Sequence, residues 1–536
     1  MAITINHQTN DISATSGSMT IDGASAGGAS SNTGTGNFIG GTNAGDALES
    51  GGQYNTLLGQ ESGTSLTTGD QNVAVGYESL QTATNGTSNV AIGYRALKVN
   101  TGHRNAAIGV EALSSNTSGE YNHALGYRSL FRVTTGSNNV GLGYLTGQAL
   151  TTGTHNTYVG DSAGYNATTG SNNVSVGSEA GKDITTGSRN IAIGGRSGYL
   201  ISTGSHNIAL GYLAMGSAAA KTGDDNVAIG QRALEDLTDG NNNIGIGPDA
   251  GKSFAQATNN VAIGNQSLET MSSNTKNVGV GAFAGAQYEN NGAVLLGYQA
   301  GRYGNGANQI FIGNAAGISY TGENTVIIGC NAGDTSGSTG SRNTIVGTFA
   351  CNNGALTGSY NVVVGSNAGE ILSSGFDNTI LGYQAGNDLT TGSNNTIIGH
   401  DAEASSASAT NQVTLGNSSI SSLRCQVQTI SSLSDARDKT DITPLQAGLD
   451  FVERLDPVSF TWNMRDGGKV GIEETGFIAQ DLQQVQEDTG VTIPNLVYDN
   501  NPDKLEASYG KLIPVLVKAI QELSAKVDDL EAQLNT

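Results

Sequence analysis

The stretch N-V-A-V-G-Y at residues 72–77 is one copy of a short pattern that recurs through most of the chain. Similar copies begin at Asn89 and Asn395, and most of the leading asparagines stand 17 residues apart. Where the asparagine is replaced, a closing glycine keeps approximate phase, as at Gly313, and we count 22 copies between about residue 50 and residue 416. Self-similarity at a fixed short period is typical of a solenoid, in which each copy forms one turn.

Each copy predicts a five-residue strand that is opened by asparagine and closed by glycine. Val73 and Val75 are branched and apolar and Ala74 between them is small, so the alternation places the bulky pair on one face and the small residue on the other. Gly76 permits a positive φ, and a turn such as T-T-G-S at residues 134–137 leads to the next asparagine. One copy holds too few apolar side chains to be stable alone, so the copies must stack.

The composition predicts a thin core. Of 536 residues, 78 are glycine, and aromatic residues make up only 5%. Because each copy has few bulky apolar side chains, the repeat favours a core shared by three chains, with a monomeric solenoid as the alternative. The N-V-A-I-G strands, as at residues 89–93, resemble the head repeats of trimeric autotransporter adhesins, which implies a trimeric parallel β-roll. The resemblance covers the strand motif only, and an acidic helix predicted at residues 525–536, in place of membrane-anchor strands, argues against an autotransporter.

The composition changes near residue 430. Only seven of the 78 glycines follow that position, whereas five of the six prolines and the single tryptophan, Trp462, do. Three blocks stand out there: a strand-like run at residues 455–462, a strand that enters a helix at residues 475–482, and residues 508–516, which lead into the last helix. A different kind of domain therefore begins near this position.

These blocks, together with S-D-x-x-x-K at residues 434–439 and the terminal helix, resemble the intramolecular chaperone domain of phage endosialidases, tail spikes and L-shaped tail fibres. A relative of that domain occurs in a membrane-bound myelin regulatory transcription factor. The resemblance covers about residues 431–536. It implies a phage fibre whose C-terminal domain assembles three chains and then cuts itself off. Such a domain would set the register in which three chains of near-identical repeats align. Once the domain is cut off, unfolding can no longer retrace the assembly route and is therefore slow.

The terminal helix carries a heptad pattern that supports oligomerisation. Apolar residues recur at alternating spacings of three and four, which is typical of a coiled-coil seam. A single helix packed on its own domain is the alternative. The predicted trimer seam consists of Ile513, Leu516, Ile520, Leu523, Val527, Leu530 and Leu534.

The junction between the two parts carries a candidate cleavage site. All six histidines precede residue 401, so the C-terminal domain has no histidine for a Ser-His-Asp triad, and lysine can replace it as the base if burial leaves the amine neutral. The resemblance implies that Ser434 is the nucleophile, that Lys439 is the base and that the cut lies between Leu433 and Ser434. Because a spacing of five is poor for one helix face, we expect a turn, fixed by Asp435, that folds Lys439 back onto Ser434. The alternative is a helix-capping Ser434 and a solvated Lys439.

The predicted fold is mostly β: a trimeric parallel β-solenoid of about 22 repeats of 17 residues, then a small α+β chaperone domain that ends in a coiled-coil helix. The predicted domains are an N-terminal attachment or capping segment at residues 1–49, a shaft at 50–420, a neck at 421–433 and the chaperone domain at 434–536. Some intervals depart from the period, such as 19 residues between Asn207 and Asn226 and 18 between Asn343 and Asn361. The sequence alone gives no physical reason to treat them as binding sites.

Charge and composition limit the expected partners. A net charge of −22 disfavours nucleic acid, and no apolar run approaches the roughly 18 residues of a membrane helix. Three unclustered cysteines form neither a disulfide framework nor a zinc site, so we expect no metal and no cofactor. We expect synthesis in the host cytoplasm, without a signal peptide, and location in the virion. The expected partners are two further copies of the chain, other tail or capsid proteins through the N-terminus, and a host-surface glycan or protein.

A tail spike that degrades host polysaccharide is the main alternative function. Glycoside hydrolysis needs two carboxylates that face each other across a groove. Glu78, Asp161 and Asp249 are scattered, and the tyrosines that follow the strand glycines, such as Tyr77 and Tyr94, are more typical of packing residues. An ice-binding solenoid is a third alternative, which the position of the T-T-G segments in turns disfavours.

Overall fold

A computed structural model describes residues 35–217, 219–420, 422–424, 426, 434–465, 470–499 and 505–535, and the backbone of four short strands before residue 35. Residues 1–325 and 326–536 form two compact units. In the first unit, β1 (Ile3–Asn6) pairs antiparallel with β2 (Asp11–Ala14), and β3 (Met19–Ile21) pairs antiparallel with β4 (Ala24–Ala26).

The rest of the first unit is a ladder of three-residue parallel strands, each paired with the next along the chain. The strands are β5 (Phe38–Gly40), β6 (Thr56–Leu58), β7 (Val73–Val75), β8 (Val90–Ile92), β9 (Ala106–Ile108), β10 (His123–Leu125), β11 (Val140–Leu142), β12 (Thr157–Val159), β13 (Val174–Val176), β14 (Ile191–Ile193), β15 (Ile208–Leu210), β16 (Val227–Ile229), β17 (Ile244–Ile246), β18 (Val261–Ile263), β19 (Val278–Val280), β20 (Val294–Leu296) and β21 (Ile310–Ile312).

The second unit begins with a ladder of the same kind, in which consecutive strands again pair in parallel. Its strands are β22 (Val326–Ile328), β23 (Thr344–Val346), β24 (Val362–Val364), β25 (Thr379–Leu381), β26 (Thr396–Ile398) and β27 (Val413–Leu415). The parallel solenoid predicted from the repeat is thereby confirmed, and β6 to β27 correspond to the 22 copies counted in the sequence.

The ladder starts earlier than the repeat count indicates, and its strands are three residues long rather than five. Asn37 precedes β5 and already takes the role of a leading asparagine. Its Nδ2 donates to the carbonyl of Gly52 at 2.8 Å, and its Oδ1 accepts from the N–H of Asn55 at 2.8 Å. The strands are short because the asparagine and the closing glycine belong to the turns on either side.

The leading asparagines form a buried column that joins each turn to the next. Asn89 is fully buried, and its Nδ2 donates to Asn72 Oδ1 and to the carbonyl of Gly102, both at 3.1 Å. Its Oδ1 accepts from the N–H of Asn105 at 2.9 Å. Buried polar groups are stable only when they are hydrogen-bonded, so each asparagine is held by the turn before it and the turn after it.

The closing glycines form a second column, in which neighbouring turns approach too closely for a side chain. Gly76 has a φ of 137°, and a Cβ placed on it would lie 2.5 Å from the carbonyl oxygen of Gly93. Four residues later in the same turn, Leu80 adopts a left-handed conformation at a φ of 51°. That conformation costs an ordinary residue about 1–2 kcal/mol, and burial of the leucine side chain offsets it.

In several turns, two buried positions exchange bulk. The middle strand residue Ala74 and the turn residue Leu80 are both fully buried. Where the middle residue is the larger Tyr158, the corresponding turn residue is Gly164, and a Cβ on this glycine would collide with the tyrosine ring. In these turns, a large residue at one position is matched by a small residue at the other.

The flanking strand residues point outward. Val73 and Val75 are half-buried, and Ile92 and Leu125 remain 38% and 49% exposed. The strand face predicted to carry the bulky pair is therefore the outer face of the single chain. It forms a ribbon of β-branched and other apolar side chains along the ladder.

One column of turn residues carries charges that pair between consecutive turns. The pairs are Arg95–Glu78 at 2.7 Å, Arg128–Glu111 at 2.6 Å and Arg196–Glu179 at 2.7 Å. Lys98 also binds Glu78 at 2.6 Å, and the two hydrogen bonds lower the pKa of the Glu78 carboxyl to about 2. Other turns carry uncharged residues at this position, so the charge pattern distinguishes turns whose backbones are alike.

The remainder of the second unit is a small α+β domain. Its elements are a 3₁₀ turn (Ala436–Asp438), α1 (Leu449–Glu453), β28 (Val458–Asn463), β29 (Val470–Gly476), α2 (Ala479–Thr489), β30 (Val497–Tyr498), β31 (Glu506–Ala507), a second 3₁₀ turn (Tyr509–Lys511) and α3 (Leu512–Leu534). β28 pairs antiparallel with β29, and β30 with β31. No helix among the described residues is long and apolar enough to cross a membrane.

The three helices of this domain enclose one apolar core. α3 contributes Leu512 and Val515, and α1 contributes Phe451. Glu522 on α3 also accepts a hydrogen bond from the N–H of Leu449 at 2.8 Å, which caps the start of α1. The first turns of α3 are therefore part of the domain, and the last turns continue beyond its core.

Candidate self-cleavage site and oligomer seam

A tight turn brings Ser434 and Lys439 together. The 3₁₀ turn at Ala436–Asp438 reverses the chain, and the N–H of Lys439 donates to the carbonyl of Ala436 at 3.3 Å. The Nζ of Lys439 lies 2.6 Å from Ser434 Oγ and 3.4 Å from the carbonyl oxygen of the same serine. A hydroxyl and an amine at this distance can exchange a proton.

Asp435 closes this turn from its N-terminal side. Its carboxylate accepts the N–H of Arg437 at 2.9 Å and binds the Arg437 guanidinium at 2.5 Å. The hydrogen bonds from the Arg437 side chain and backbone hold the pKa of the Asp435 carboxyl below its ordinary value. Because the pair is exposed, its contribution is the shape of the turn rather than much stability.

The whole turn is open to solvent in the single chain. Ser434, Asp435 and Lys439 are all exposed. Leu433, the residue predicted to precede the cut, lies outside the described residues. The turn therefore orients the serine and the lysine but does not bury them.

The terminal helix α3 has two apolar faces with different surroundings. Leu512, Val515 and Ala519 face the domain core and are at most 4% exposed. The seven residues of the predicted seam lie on another face and are all exposed. Their exposures are Ile513 62%, Leu516 43%, Ile520 66%, Leu523 50%, Val527 45%, Leu530 58% and Leu534 85%. Packing on its own domain thus leaves the heptad seam free of intrachain cover.

Tyr509 connects two parts of the C-terminal domain, a role that its position in the sequence did not predict. Its hydroxyl accepts the N–H of Phe477 at 3.1 Å and donates to the carbonyl of the same residue at 2.9 Å, and the two rings pack edge to face. This contact joins the block at residues 475–482 to the block at residues 508–516. Sequence spacing carries no signal for it, because the two residues lie 32 positions apart.

The carboxylates considered for polysaccharide hydrolysis have other partners in the ladder. Glu78 binds Arg95 and Lys98, and Asp249 pairs with Arg232 at 2.9 Å. In the part of the chain that the structure describes, no three His, Cys, Asp or Glu side chains come together to hold a metal ion.

Comparison with known proteins points to the same C-terminal region. Residues 434–497 match the family model described as chaperone of endosialidase. The long tail fibre protein Gp37 of Enterobacteria phage K3 and that of Enterobacteria phage T2 are each 34% identical over 105 residues. These residues are 19% of this chain but only 8% and 7% of the two relatives, so the chain spans a small part of their length. No solved structure matches the chain. Residues 434–497 are thus a chaperone-of-endosialidase domain, attached to a parallel β-solenoid in a chain that is similar to phage long tail fibre proteins.

Proposed function

We propose that this chain is a structural fibre protein of a phage, assembled as a homotrimer by its C-terminal domain, which then cuts the chain between Leu433 and Ser434. The contact of Lys439 Nζ with Ser434 Oγ at 2.6 Å is the observation that carries the proposal. The family match supports it further, because it begins at Ser434, the residue that would start the released domain.

The proposed reaction needs only groups of the turn and water. Neutral Lys439 takes the proton of the Ser434 hydroxyl while Oγ attacks the carbonyl carbon of Leu433. The bond from that carbon to the Ser434 nitrogen breaks, and the nitrogen takes a proton back from the Lys439 ammonium. Water then hydrolyses the ester, which leaves a carboxylate on Leu433 and restores the hydroxyl of Ser434.

Assembly is proposed to switch the reaction on. A lysine amine acts as a base only after losing its own proton, and burial favours the neutral amine. Lys439 is exposed in the single chain. We therefore expect partner chains to cover this turn when the trimer forms, so that a chain which has not assembled stays uncut.

Two unpartnered apolar surfaces support a trimer. The first is the seam of α3, whose heptad spacing suits a short parallel coiled coil. The second is the outer ribbon of the strand ladder, for example Ile193 at 42% exposure in the first unit and Leu381 at 46% in the second. Contiguous apolar surface of this kind marks interaction sites in soluble proteins. Copies held in parallel by α3 would present identical ribbons to one another.

The remaining parts of the proposal concern the virion. The relatives are long tail fibre proteins by name, and a fibre of this class belongs to the virion. We propose synthesis in the host cytoplasm, contact with other virion proteins through the N-terminal segment, and contact with a host-surface glycan or protein through the shaft.

Intact mass of the purified full chain, taken denatured and native, tests the proposal. We expect denatured masses for residues 1–433 and 434–536, and a native fibre mass three times that of the larger fragment. Ser434→Ala is the matched control, which should give the full-length denatured mass and remain trimeric. A wild-type chain that stays full length would refute self-cleavage, and a monomeric native mass would refute the trimer.

A further inference from the structure

A column of serines lines one corner of the ladder, two positions before the leading asparagines. Each hydroxyl accepts a backbone N–H from the preceding turn. In the first unit, the N–H of Ser171 donates to Ser188 Oγ at 3.1 Å, and that of Ser188 donates to Ser205 Oγ at 3.1 Å. This repeated contact gives the corner a polar surface of small side chains.

In the second unit an aromatic residue interrupts the serine column. Ser359 and Ser393 keep it on either side, accepting from the N–H groups of Ser341 at 2.9 Å and Phe376 at 3.1 Å. Between them, Phe376 occupies the serine position and leaves its ring 52% exposed. Tyr360, from the preceding turn, is 53% exposed. About half of the surface of each of these two aromatic residues is therefore open to solvent.

The two rings and their neighbours line an open cavity of about 410 Å³. Hydroxyls of Thr357, Ser359 and Ser374 and the exposed carboxylate of Asp377 complete the wall. Arg342 holds Tyr360 in place, because its Nη1 donates to the tyrosine hydroxyl at 2.7 Å and its guanidinium lies 5.4 Å from the ring centre. The cavity thus combines a fixed aromatic surface with several polar groups.

We propose that this cavity binds a neutral hexopyranose unit of a host-surface glycan. A pyranose ring presents an apolar C–H face, which stacks on aromatic rings, and equatorial hydroxyls, which hydrogen-bond to carboxylates and hydroxyls. Sites with apolar walls and a few convergent polar groups are typical of small-ligand recognition. Asp377 and the net charge of −22 disfavour uronic and sialic acids, because like charges repel. The site deepens the proposed function, since it names the receptor class of the fibre and the turns that contact it.

The repeat supplies substitutions that remove the rings without disturbing the fold. Phe376→Ser introduces the serine that the neighbouring turns carry at this position. Tyr360→Asn introduces the residue that stands at the equivalent position two turns later, Asn394, whose backbone is also left-handed at a φ of 56°. Tyr121→Asn is the matched control. Tyr121 also lies under an arginine, Arg104, but the next turn places a serine beside it instead of a second ring.

The test probes the purified full chain on an array of neutral oligosaccharides ending in glucose, galactose, mannose or N-acetylglucosamine, with matched acidic oligosaccharides ending in glucuronate or sialate. We expect the wild type to bind at least one neutral class, the double variant Tyr360→Asn/Phe376→Ser to lose affinity ~10-fold or more, and Tyr121→Asn to bind like the wild type. Native mass is measured for every variant.

Four outcomes would overturn the inference. They are a trimeric wild type that binds no neutral glycan, wild-type affinity in the double variant, an equal loss in the Tyr121→Asn variant, and a changed native mass in the double variant, which would assign the two rings to an interface between copies. Each leaves the fibre proposal intact when the wild-type mass remains trimeric and cleaved. A monomeric, uncut wild type would instead refute the fibre proposal itself.

Discussion

Replacement of Lys439 tests whether this lysine acts as the base for self-cleavage. Lys439→Met removes the amine that lies 2.6 Å from Ser434 Oγ, and the turn keeps its Asp435–Arg437 contacts. A positioned general base accelerates proton transfer about 10²–10⁴-fold. At 1.36 kcal/mol for each factor of ten, the variant should lose about 2.7–5.4 kcal/mol of barrier reduction.

The assay follows the appearance of the fragment at residues 434–536 on denaturing gels during synthesis and assembly. Native mass, measured in parallel, separates slow cleavage from failed assembly. We expect the Lys439→Met chain to form trimers as the wild type does and to release the fragment ~10²–10⁴ times more slowly.

Lys439→Arg distinguishes a base from a charge. Arginine keeps the positive charge but does not give up its proton in proteins, so it can stabilise an oxyanion and cannot act as a base. We expect Lys439→Arg to be as slow as Lys439→Met. If the arginine variant is cleaved at the wild-type rate, Lys439 does not act as the base. If both variants are cleaved at the wild-type rate, Lys439 has no role in cleavage.

Four further predictions concern assembly and stability. Leu523→Lys places a charge in the exposed seam, so native mass should show monomers and gels an uncut chain, whereas Val517→Lys, equally exposed but off the seam, should still assemble. Asn89→Ala leaves the buried Asn105 N–H without its acceptor, at about 1–3 kcal/mol, and removes one of the two side-chain hydrogen bonds to the Gly102 carbonyl, so amide exchange in the adjoining turns should accelerate. Gly76→Ala puts a Cβ 2.5 Å from the next turn and should lower the melting temperature, whereas Gly195→Ala, with 3.5 Å to its nearest neighbour, should not. Glu78→Gln should reduce the free energy of unfolding, measured with urea, at about pH 7 but not below about pH 2. A carboxyl whose pKa is depressed in the folded state stabilises the fold at pH values above its unfolded pKa near 4.5, and this stabilisation is lost as the pH falls towards 2.

Each of these predictions has an outcome that contradicts its physical reason. Trimers of Leu523→Lys would show that the seam does not hold the chains together. Unchanged exchange near Asn89→Ala would show that water replaces the asparagine. Equal melting temperatures of the two glycine variants would refute the argument that the close approach at Gly76 excludes a side chain. A pH-independent effect of Glu78→Gln would refute the argument that the ion pair stabilises the fold.

The repeat predicted the ladder because its signal depends on local chemistry. A buried asparagine, a small middle residue and a glycine of positive φ recur with one period, and each has a single structural use. The strand blocks and the last helix of the C-terminal domain followed from ordinary patterns of the same kind.

Other features depend on contacts that no local pattern encodes. The early strand at Phe38–Gly40 lies between Asn37 and Gly41, which occupy the leading and closing positions of the motif, and the hydrogen bonds of Asn37 identify it as a further copy. The left-handed Leu80 is unfavourable by propensity and depends on the volume left by Ala74. The pairing of Ser434 with Lys439 was anticipated through resemblance, since five residues of spacing alone favour a solvated lysine.

The asparagine column makes one turn interchangeable with another at the level of the gene. Because Asn89 bonds to Asn72 before it and Asn105 after it in the way that most leading asparagines do, excision of one 17-residue segment joins two surfaces that still fit. Loss or gain of whole 17-residue segments would therefore shorten or lengthen the ladder by steps of about 4.8 Å while both ends stay intact. In the proposed fibre, copy number would set the length of the shaft, while the asparagine hydrogen bonds between neighbouring turns stay the same.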